Sequence, residues 1–224
     1  MLYDIIFCRN RFEKEKNFNM KKLLAMILCA VMVFSFAACS ETEKAEVEVV
    51  TITPERGTVE NGIYENTTFG VKFEAGENWY FLSDDEIAMA MGVAAEEMFG
   101  EGAEITGDNV YDLYCVENET NATVSINHEN LGTVGGFTDA NYYLETVMTQ
   151  LISTGVENGI ADAVISEIKI GEEKVPCLDI VMEYSGTTIY QKVIVKQNGS
   201  WMSTVTMASL SEEELSSLVE KLDF

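Results

Sequence analysis

The sequence is poor in basic residues, in histidine and in proline. Its 224 residues include 14 Lys and Arg against 38 Asp and Glu, two prolines and a single histidine, His128. The formal net charge of −24 gives a surface that repels nucleic acid and anionic lipid head groups. We therefore expect no nucleic-acid partner. Histidine is the usual general base near neutral pH, and a lone His128 beside Glu129 is more typical of a surface residue than of half a catalytic pair.

The chain also lacks an apolar run long enough to cross a membrane. Its longest run, Leu23–Phe36, has 14 residues and is apolar apart from Ser35, whereas a spanning helix needs roughly 20. The basic residues Lys21 and Lys22 precede the run, and small residues follow it. This order predicts a secretory signal over residues 20–38. Residues 1–19 show no secretory pattern, and we interpret them as a mis-called upstream extension; a genuinely extended n-region of the signal is the alternative.

The end of this signal resembles the lipobox of bacterial lipoproteins. Ala37 and Ala38 stand before Cys39 as the small pair that precedes a lipid-modified cysteine, although Phe36 replaces the usual aliphatic residue. The resemblance implies a diacylglyceryl group on Cys39, and two acyl chains make membrane attachment stable. The protein would then be lipid-anchored to the cell membrane and face outside the cytoplasm. The alternative is an ordinary signal cleaved near Ala38, with Cys39 unmodified.

The composition changes after Cys39. Residues 39–62 are acidic and contain no aromatic residue, which is typical of a tether. A short edge strand over Glu46–Thr53 is the alternative. Residues 63–224, 162 in number, form one predicted globular domain. Six of the basic and three of the acidic residues lie before Cys39, which leaves 8 and 35, a net charge of −27. This charge indicates solubility outside the cell or, alternatively, attraction of cations or a cationic partner.

Periodicity within the domain predicts an α+β fold. Two Ser-x-x-Glu capping boxes, Ser83–Glu86 and Ser211–Glu214, open helices, and a third helix starts near Thr138 and ends at Gly155. Alternating segments predict strands over Thr67–Glu74, Val110–Val116, Ala122–His128, Ile165–Ile170, Val175–Tyr184, Thr188–Lys196 and Trp201–Met207, and we expect about six strands in the sheet. The short connections, including Asn198-Gly199, favour an antiparallel sheet with helices packed on it. On the predicted strand Val175–Tyr184 we expect Leu178, Ile180, Met182 and Tyr184 to face the helices.

The segment from Tyr64 to Ile87 resembles the opening of a group of Firmicutes lipoproteins. The matching positions are Tyr64-Glu65-Asn66, Phe69-Gly70-Val71-Lys72-Phe73, Trp79 and Ser83-Asp84-Asp85-Glu86-Ile87. The remaining order of elements is similar to the PsbP-like fold. This resemblance implies a fold whose members mostly bind proteins or assist assembly, and it carries over no catalytic residue.

No constellation of residues points to chemistry, so we expect no catalytic residue, metal or cofactor. Cys115 and Cys177 could form a disulfide in an exported protein. As a nucleophile, either cysteine would need a general base, and the sequence offers no recognisable one. A serine nucleophile is not indicated either, because no Gly-x-Ser-x-Gly elbow is present. Carboxylate pairs such as Asp84-Asp85 and Glu96-Glu97 suit helix ends, and the loop Glu101–Asn109 misses the spacing of a calcium loop. Trp79 is expected to pack beneath the first helix and Trp201 beside the hairpin, rather than to stack on carbohydrate.

Two classes of function remain. The first is a surface-anchored, non-enzymatic binding or assembly module of the cell envelope, with the membrane reached through the lipid on Cys39 and an unidentified protein partner. The second is an envelope-acting hydrolase that uses carboxylates, or a solute-binding lipoprotein. A deep pocket with two buried acids would favour an enzyme, and a shallow groove would favour a binding module.

Overall fold

The structure of the protein is a computed structural model that describes residues 55–90, 109–132, 139–155, 159–184 and 186–224. The predicted signal, Cys39, the edge strand at Glu46–Thr53, the pair Glu96-Glu97 and the loop up to residue 108 lie outside these residues. Within the described ranges, eleven strands form two antiparallel sheets accompanied by three helices. The α+β class is confirmed.

The elements follow one another in an order dominated by strands. They are β1 (Thr58–Glu60), β2 (Ile63–Asn66), β3 (Val71–Glu74), β4 (Trp79–Phe81), α1 (84–90), β5 (Asn109–Glu117), β6 (Thr123–Asn130), α2 (Ala140–Gly155), β7 (Ile160–Ile170), β8 (Glu173–Tyr184), β9 (Thr187–Asn198), β10 (Trp201–Ser209), α3 (Glu212–Val219) and β11 (Leu222–Asp223). The large sheet has the order β4-β5-β6-β10-β9-β8-β7, and the small sheet has the order β1-β2-β3-β11.

The predicted count of about six strands is wrong because very short strands escape a periodicity argument. Strands β1, β2, β4 and β11 have two to four residues, too few for an alternation to be recognised. The predicted strand Thr67–Glu74 is in fact a turn over residues 67–70 followed by β3. Gly70 has a φ of 61°, a left-handed conformation that glycine adopts without strain.

The N-terminal boundary of the folded part lies earlier than the predicted residue 63. Strand β1 pairs with β2 through Thr58 and Glu65, although residues 58–60 belong to the segment predicted as a tether. Residues 55–60 are therefore part of the domain.

The predicted meander is confirmed in strands β7 to β10. Asn198 pairs with Trp201, so the hairpin loop consists of Gly199 and Ser200, one residue later than the Asn-Gly dipeptide indicates. Gly199 has a φ of 62°, and a positive φ at the first turn residue is what the favoured two-residue hairpin turns require.

The central strands of the large sheet are buried on both faces. The small-sheet face packs against β2, β3, β11 and α3, and the helix face packs against α2 through β7, β8 and β9. Leu178, Ile180 and Met182 lie with Tyr143 in the apolar cluster of the helix face, which confirms the predicted register. Cys177 lies in the cluster of the opposite face; the side chain of Tyr184 is outside the described set.

The two predicted capping boxes differ in their hydrogen bonds. At α1, the Glu86 carboxylate accepts hydrogen bonds from the Ser83 backbone N–H and hydroxyl, each at 2.8 Å. At α3, Ser211 is the N-cap and its hydroxyl accepts from the Glu214 N–H at 3.3 Å. The Glu214 carboxylate, however, accepts from the Ser209 hydroxyl. The first box thus forms the bond to the Ser83 backbone N–H, and the second forms the bond to the Glu214 backbone N–H.

Candidate functional site

A buried carboxylate, Asp112, lies at an irregularity in β5. The pairing of β5 with β6 shifts between Tyr111 and Leu113, which leaves Asp112 as the extra residue, as in a β-bulge. Its side chain is 0% exposed. The bulge brings this carboxylate to His128 and to Tyr64 of the small sheet.

One oxygen of the Asp112 carboxylate, Oδ2, accepts hydrogen bonds from four neighbouring groups on the small-sheet face. Its Oδ2 atom lies 2.6 Å from the Tyr64 hydroxyl, 2.7 Å from Asn66 Nδ2 and 2.9 Å from the Gly57 N–H. The fourth group is His128, whose Nε2 lies 3.1 Å from Oδ2. We call these residues and Arg56 the Asp112 cluster.

Arg56 and Gly57 join the N-terminal segment to this cluster. Arg56 Nη2 donates to the carbonyl oxygen of Tyr111 at 2.9 Å, its Nε lies 3.3 Å from Asp112 Oδ1, and its Nη1 pairs with Asp84 at 2.8 Å. A Cβ on Gly57 would lie 2.4 Å from the Tyr64 ring, so a larger residue would displace the ring. The sequence Arg56-Gly57 therefore allows the backbone to approach Asp112 closely.

The electrostatics keep Asp112 ionised. Burial by itself would raise the pKa of this carboxyl, but the hydrogen bonds from His128, Tyr64, Gly57 and Asn66 together lower the pKa below its ordinary range. Burial, reinforced by the charge of Asp112, raises the pKa of the Tyr64 hydroxyl. Tyr64 thus remains a donor and Asp112 an acceptor across the whole physiological range of pH.

His128 is fully buried, and the expectation of a surface residue is wrong. Its ring stacks on Phe69 with the ring centres 3.8 Å apart and an angle of 10° between the planes, and Trp201 packs edge-on against Phe69 at 6.2 Å. The polar neighbours of His128 in the sequence suggested an exposed strand end. The tertiary structure instead places β6 between β5 and β10 and covers this side of it with the turn after β2.

Glu129, the neighbour of His128, lies on the other side of the sheet because successive residues of a strand point to opposite faces. It is 3% exposed and accepts a hydrogen bond of 2.8 Å from the Tyr143 hydroxyl of α2. Burial and then the charge of Glu129 raise the pKa of Tyr143. His128 and Glu129 therefore cannot act on the same group.

An open cleft lies beside Trp79. Its volume is about 440 Å³, and its lining includes Glu77, Glu117, Glu214 and Lys221. The Trp79 ring is 8% exposed, packs edge-on against Phe73 at 5.5 Å and has the Lys221 ammonium 5.9 Å above it. Trp79 thus packs on the small sheet and offers little surface for stacking. Glu117 already accepts three hydrogen bonds from residues 119 and 120.

The cysteines Cys115 and Cys177 are buried free thiols. They lie on β5 and β8, which are four strand positions apart in the sheet, and at about 4.8 Å per strand this separation far exceeds the roughly 7 Å limit for a disulfide. Burial raises the pKa of Cys115, and burial followed by the charge of Asp179 raises that of Cys177 to about 12. Neither thiol is activated as a nucleophile.

The other groups singled out in the sequence do not assemble into a site. Asp84 is exposed and pairs with Arg56, and Asp85 is exposed at the start of α1. Among the residues that the structure describes, no group of three His, Cys, Asp or Glu side chains could hold a metal ion. Over the same residues, no helix combines the length and apolar character needed to cross a bilayer.

Sequence reasoning missed Asp112. The available signal was an acidic residue inside the apolar strand Val110–Val116, because a charge in such a position needs buried partners. The identity of those partners, 46 to 56 residues away in Arg56, Gly57, Tyr64 and Asn66, had no signal in the sequence.

Comparison with known proteins yields structural neighbours from bacteria. No protein-family model matches the chain, and no curated protein matches it. A solved structure from Bacteroides thetaiotaomicron VPI-5482 aligns with a TM-score of 0.37 and 10% identity over 68% of this chain and 44% of that one. The chain thus spans less than half the length of that protein.

Two further structures are similar at the same level. LpqN, described as involved in cell envelope biogenesis of Mycobacterium tuberculosis, aligns with a TM-score of 0.33 and 13% identity over 54% of this chain and 80% of its own. PA94, a Pseudomonas aeruginosa protein of unknown function, aligns with a TM-score of 0.29 and 10% identity over 52% and 77%.

Proposed function

We propose that the protein is a lipoprotein of the bacterial cell envelope, held to the membrane by a lipid on Cys39 and facing outside the cytoplasm. Its folded domain then serves as a non-enzymatic binding or assembly module. The order of basic residues, a 14-residue apolar run and Ala37-Ala38-Cys39 supports the anchor.

The arrangement of the buried ionisable groups carries the proposal of a non-enzymatic role. A carboxylate hydrolase places two acids on either side of one substrate. Here the buried acids Asp112 and Glu129 lie on opposite faces of the large sheet, and Asp112 is enclosed by donors from five residues. The stacked rings of His128 and Phe69 leave the Asp112 cluster closed to a substrate. These features favour a structural role for the cluster.

The Asp112 cluster also supports a mechanical role in anchoring. Because Arg56 and Gly57 are bound to Asp112, the domain starts on a fixed point of the large sheet. The 16 residues that follow Cys39, up to Glu55, span at most about 55 Å when extended and about 22 Å as a flexible chain. Both lengths exceed the Debye length of about 8 Å at physiological salt, so an acidic domain can stand away from an anionic membrane.

The PsbP-like resemblance stays a prediction, and it favours a protein partner. The runner-up is an envelope-acting hydrolase or a solute-binding lipoprotein. In the open cleft beside Trp79, Glu117 and Glu214 already accept hydrogen bonds from the protein itself, which favours binding over hydrolysis.

Metabolic labelling tests the anchor. Cells that make the full chain are fed an alkyne fatty acid, and the label on the protein is measured. We expect label on the wild type and on Cys115→Ala, the matched control, but none on Cys39→Ala. Equal labelling of Cys39→Ala and the wild type would overturn the anchor.

Hydrolysis assays test the absence of chemistry. The protein is incubated with generic ester, peptide and glycoside substrates, and we expect no turnover. Reproducible hydrolysis abolished by Glu129→Gln or Asp112→Asn, with the variant still folded, would establish the enzyme instead.

A further inference from the structure

The large sheet ends in a long strand with an open outer edge. Among the strands that the structure describes, β7 (Ile160–Ile170) pairs only with β8. The strand at the other end of this sheet, β4, has three residues, whereas β7 has eleven and contains no proline. A long edge presents a row of backbone N–H and C=O groups that can pair with another strand, and a proline would have interrupted that row.

Two hydrogen bonds show which backbone groups of β7 point outward. The Glu183 N–H of β8 donates to the carbonyl oxygen of Gly159 at 2.7 Å, so the odd-numbered residues of β8 point their N–H groups toward β7. Their partners in the register are the even-numbered residues of β7. The Ala163 N–H instead donates to the Asp162 carboxylate at 2.9 Å. The odd-numbered residues of β7 therefore present their backbone groups to the open edge.

Two opposite charges follow each other on one face of this edge. Glu167 and Lys169 are both exposed and lie on the helix face with Ile165. Lys169 stands directly opposite Lys174 of β8, and like charges in this arrangement are unfavourable. The Lys174 ammonium also lies 3.8 Å from the Glu167 carboxylate. An acid that approached Lys169 from the open side would offset the repulsion between the two lysines.

A second copy of the chain supplies that acid if two β7 strands pair antiparallel about a two-fold axis. Residues equally far from such an axis are paired, which limits where it can lie. An axis at Glu167 or at Lys169 would set two like charges opposite each other. An axis at Ser166, or nearer to the start of β7, would need the Ala163 N–H, which is already bound to Asp162.

An axis at Ile168 avoids both conflicts. Each Glu167 then lies opposite the partner's Lys169, and both pairs exchange backbone hydrogen bonds because these residues point outward. On the other face, the half-buried Ile168 side chains of the two copies meet at the axis. We propose that two copies of this chain pair through β7 about this axis and join their large sheets into one. The inference goes beyond the proposed function, because the pairing requires neither the lipid nor a second kind of protein.

The contact between the two copies is small. The overlap covers residues 166–170 of each β7, and each mature chain carries a net charge of −27 from 8 basic and 35 acidic residues, so the copies repel each other at longer range. Small interfaces are typical of transient complexes. We expect a Kd between about 10 μM and 1 mM at physiological salt.

Analytical ultracentrifugation of the mature chain with Cys39→Ala measures this Kd. Lys169→Glu places four carboxylates around the axis and should weaken the Kd at least about tenfold. The swap of Glu167→Lys with Lys169→Glu restores both ion pairs at the net charge of the wild type, and the Kd should return to within about threefold. Lys72→Glu makes the same change of charge on β3 of the small sheet, and as the matched control it should weaken the Kd by less than about threefold.

Oxidative cross-linking checks the position of the axis. Ile168→Cys puts two thiols at the axis, where paired Cβ atoms are about 4.5–5.5 Å apart, and a covalent dimer should form. Two Ser166→Cys thiols would lie four residues apart along the strands, about 13 Å, and should stay free. The wild type is the control, since Cys115 and Cys177 are buried.

Three results would overturn the proposal. The first is a monomer at every concentration up to about 1 mM, which would leave the edge to another protein. The second is a dimer that Lys169→Glu does not weaken or that the charge swap does not restore. The third is cross-linking through Ser166→Cys in place of Ile168→Cys. The anchor is scored separately, because fatty-acid label on Cys39 does not depend on pairing; a labelled monomer would retain the proposed function and lose this inference.

Discussion

Replacing Asp112 by Asn is expected to destabilise the fold strongly at neutral pH. The neighbours of the Asp112 carboxylate, which are the Tyr64 hydroxyl, Asn66 Nδ2, the Gly57 N–H and His128 Nε2, point donors at it. An amide in place of the carboxylate turns an NH₂ group toward one or more of these donors and removes the charge that strengthens every bond.

The magnitude follows from the contacts. A hydrogen bond to a charged group contributes about 1.5–3 kcal/mol, and such contributions within one network are not additive. Breaking a buried charged network by changing one partner costs about 3–5 kcal/mol. We take that range for Asp112→Asn, which for a domain of this size lowers Tm by about 2–4 °C per kcal/mol.

The pH dependence has a definite sign. The pKa of Asp112 is lower in the folded state than the roughly 3.9 of an unfolded chain. The carboxylate therefore contributes its full stabilisation above the unfolded pKa and loses it as the pH falls toward the folded pKa. The stability difference between wild type and Asp112→Asn should be constant from about pH 5 to 7 and shrink below about pH 4.

Urea unfolding at several pH values measures this difference. Tyr64→Phe, which removes one donor and keeps the charge, should cost about 1–3 kcal/mol. The matched control is Asp85→Asn, which removes the charge of an exposed carboxyl at the start of α1. It should change the free energy of unfolding by less than about 0.5 kcal/mol. A cost below about 1 kcal/mol for Asp112→Asn at pH 7, or a cost that does not change down to pH 3, would refute the role assigned to the cluster.

Three further predictions concern the core, the thiols and the charge. Ile180→Ala should cost about 2–5 kcal/mol in urea unfolding because Ile180 is 1% exposed, whereas Val164→Ala, at a 51% exposed site, should cost much less; equal costs would contradict the register. The thiols of Cys115 and Cys177, buried and with raised pKa values, should react with a thiol reagent only after unfolding, and rapid reaction of the native protein would contradict their burial. The mature chain with Cys39→Ala should stay in the supernatant with anionic liposomes at low and at physiological salt, since its net charge is −27 from 8 basic and 35 acidic residues; cosedimentation at both salts would make the domain a membrane binder in its own right.

Local sequence patterns were sufficient for the meander and for the register of β8. Residues such as Leu178 and Ile180 alternate with Cys177 and Asp179, and a strand period of two fixes which residues share a face. Turn residues such as Gly199 identify where the chain reverses. The short strands of the small sheet could not be predicted in this way because their pairing depends on residues far apart in the chain.

The same alternation did not indicate which faces are buried. In β10 the pattern shows that Thr204 and Thr206 lie on one side and Val205 and Met207 on the other, and such a pattern is usual for a strand with one face in solvent. The structure buries both sides. Whether a polar face meets water depends on what packs over it, which is a property of the whole fold.

The sequence by itself determined the predicted processing signal at Cys39, the acidic balance, the α+β class and the order of the meander, because each depends on neighbouring residues or on composition. Only the tertiary structure decided the fate of His128 and Asp112. These two residues are 16 positions apart, and their partner Tyr64 is a further 48 positions from Asp112. Such a cluster forms only when two sheets pack face to face, since burial creates both the need for hydrogen-bond partners and the contacts that supply them.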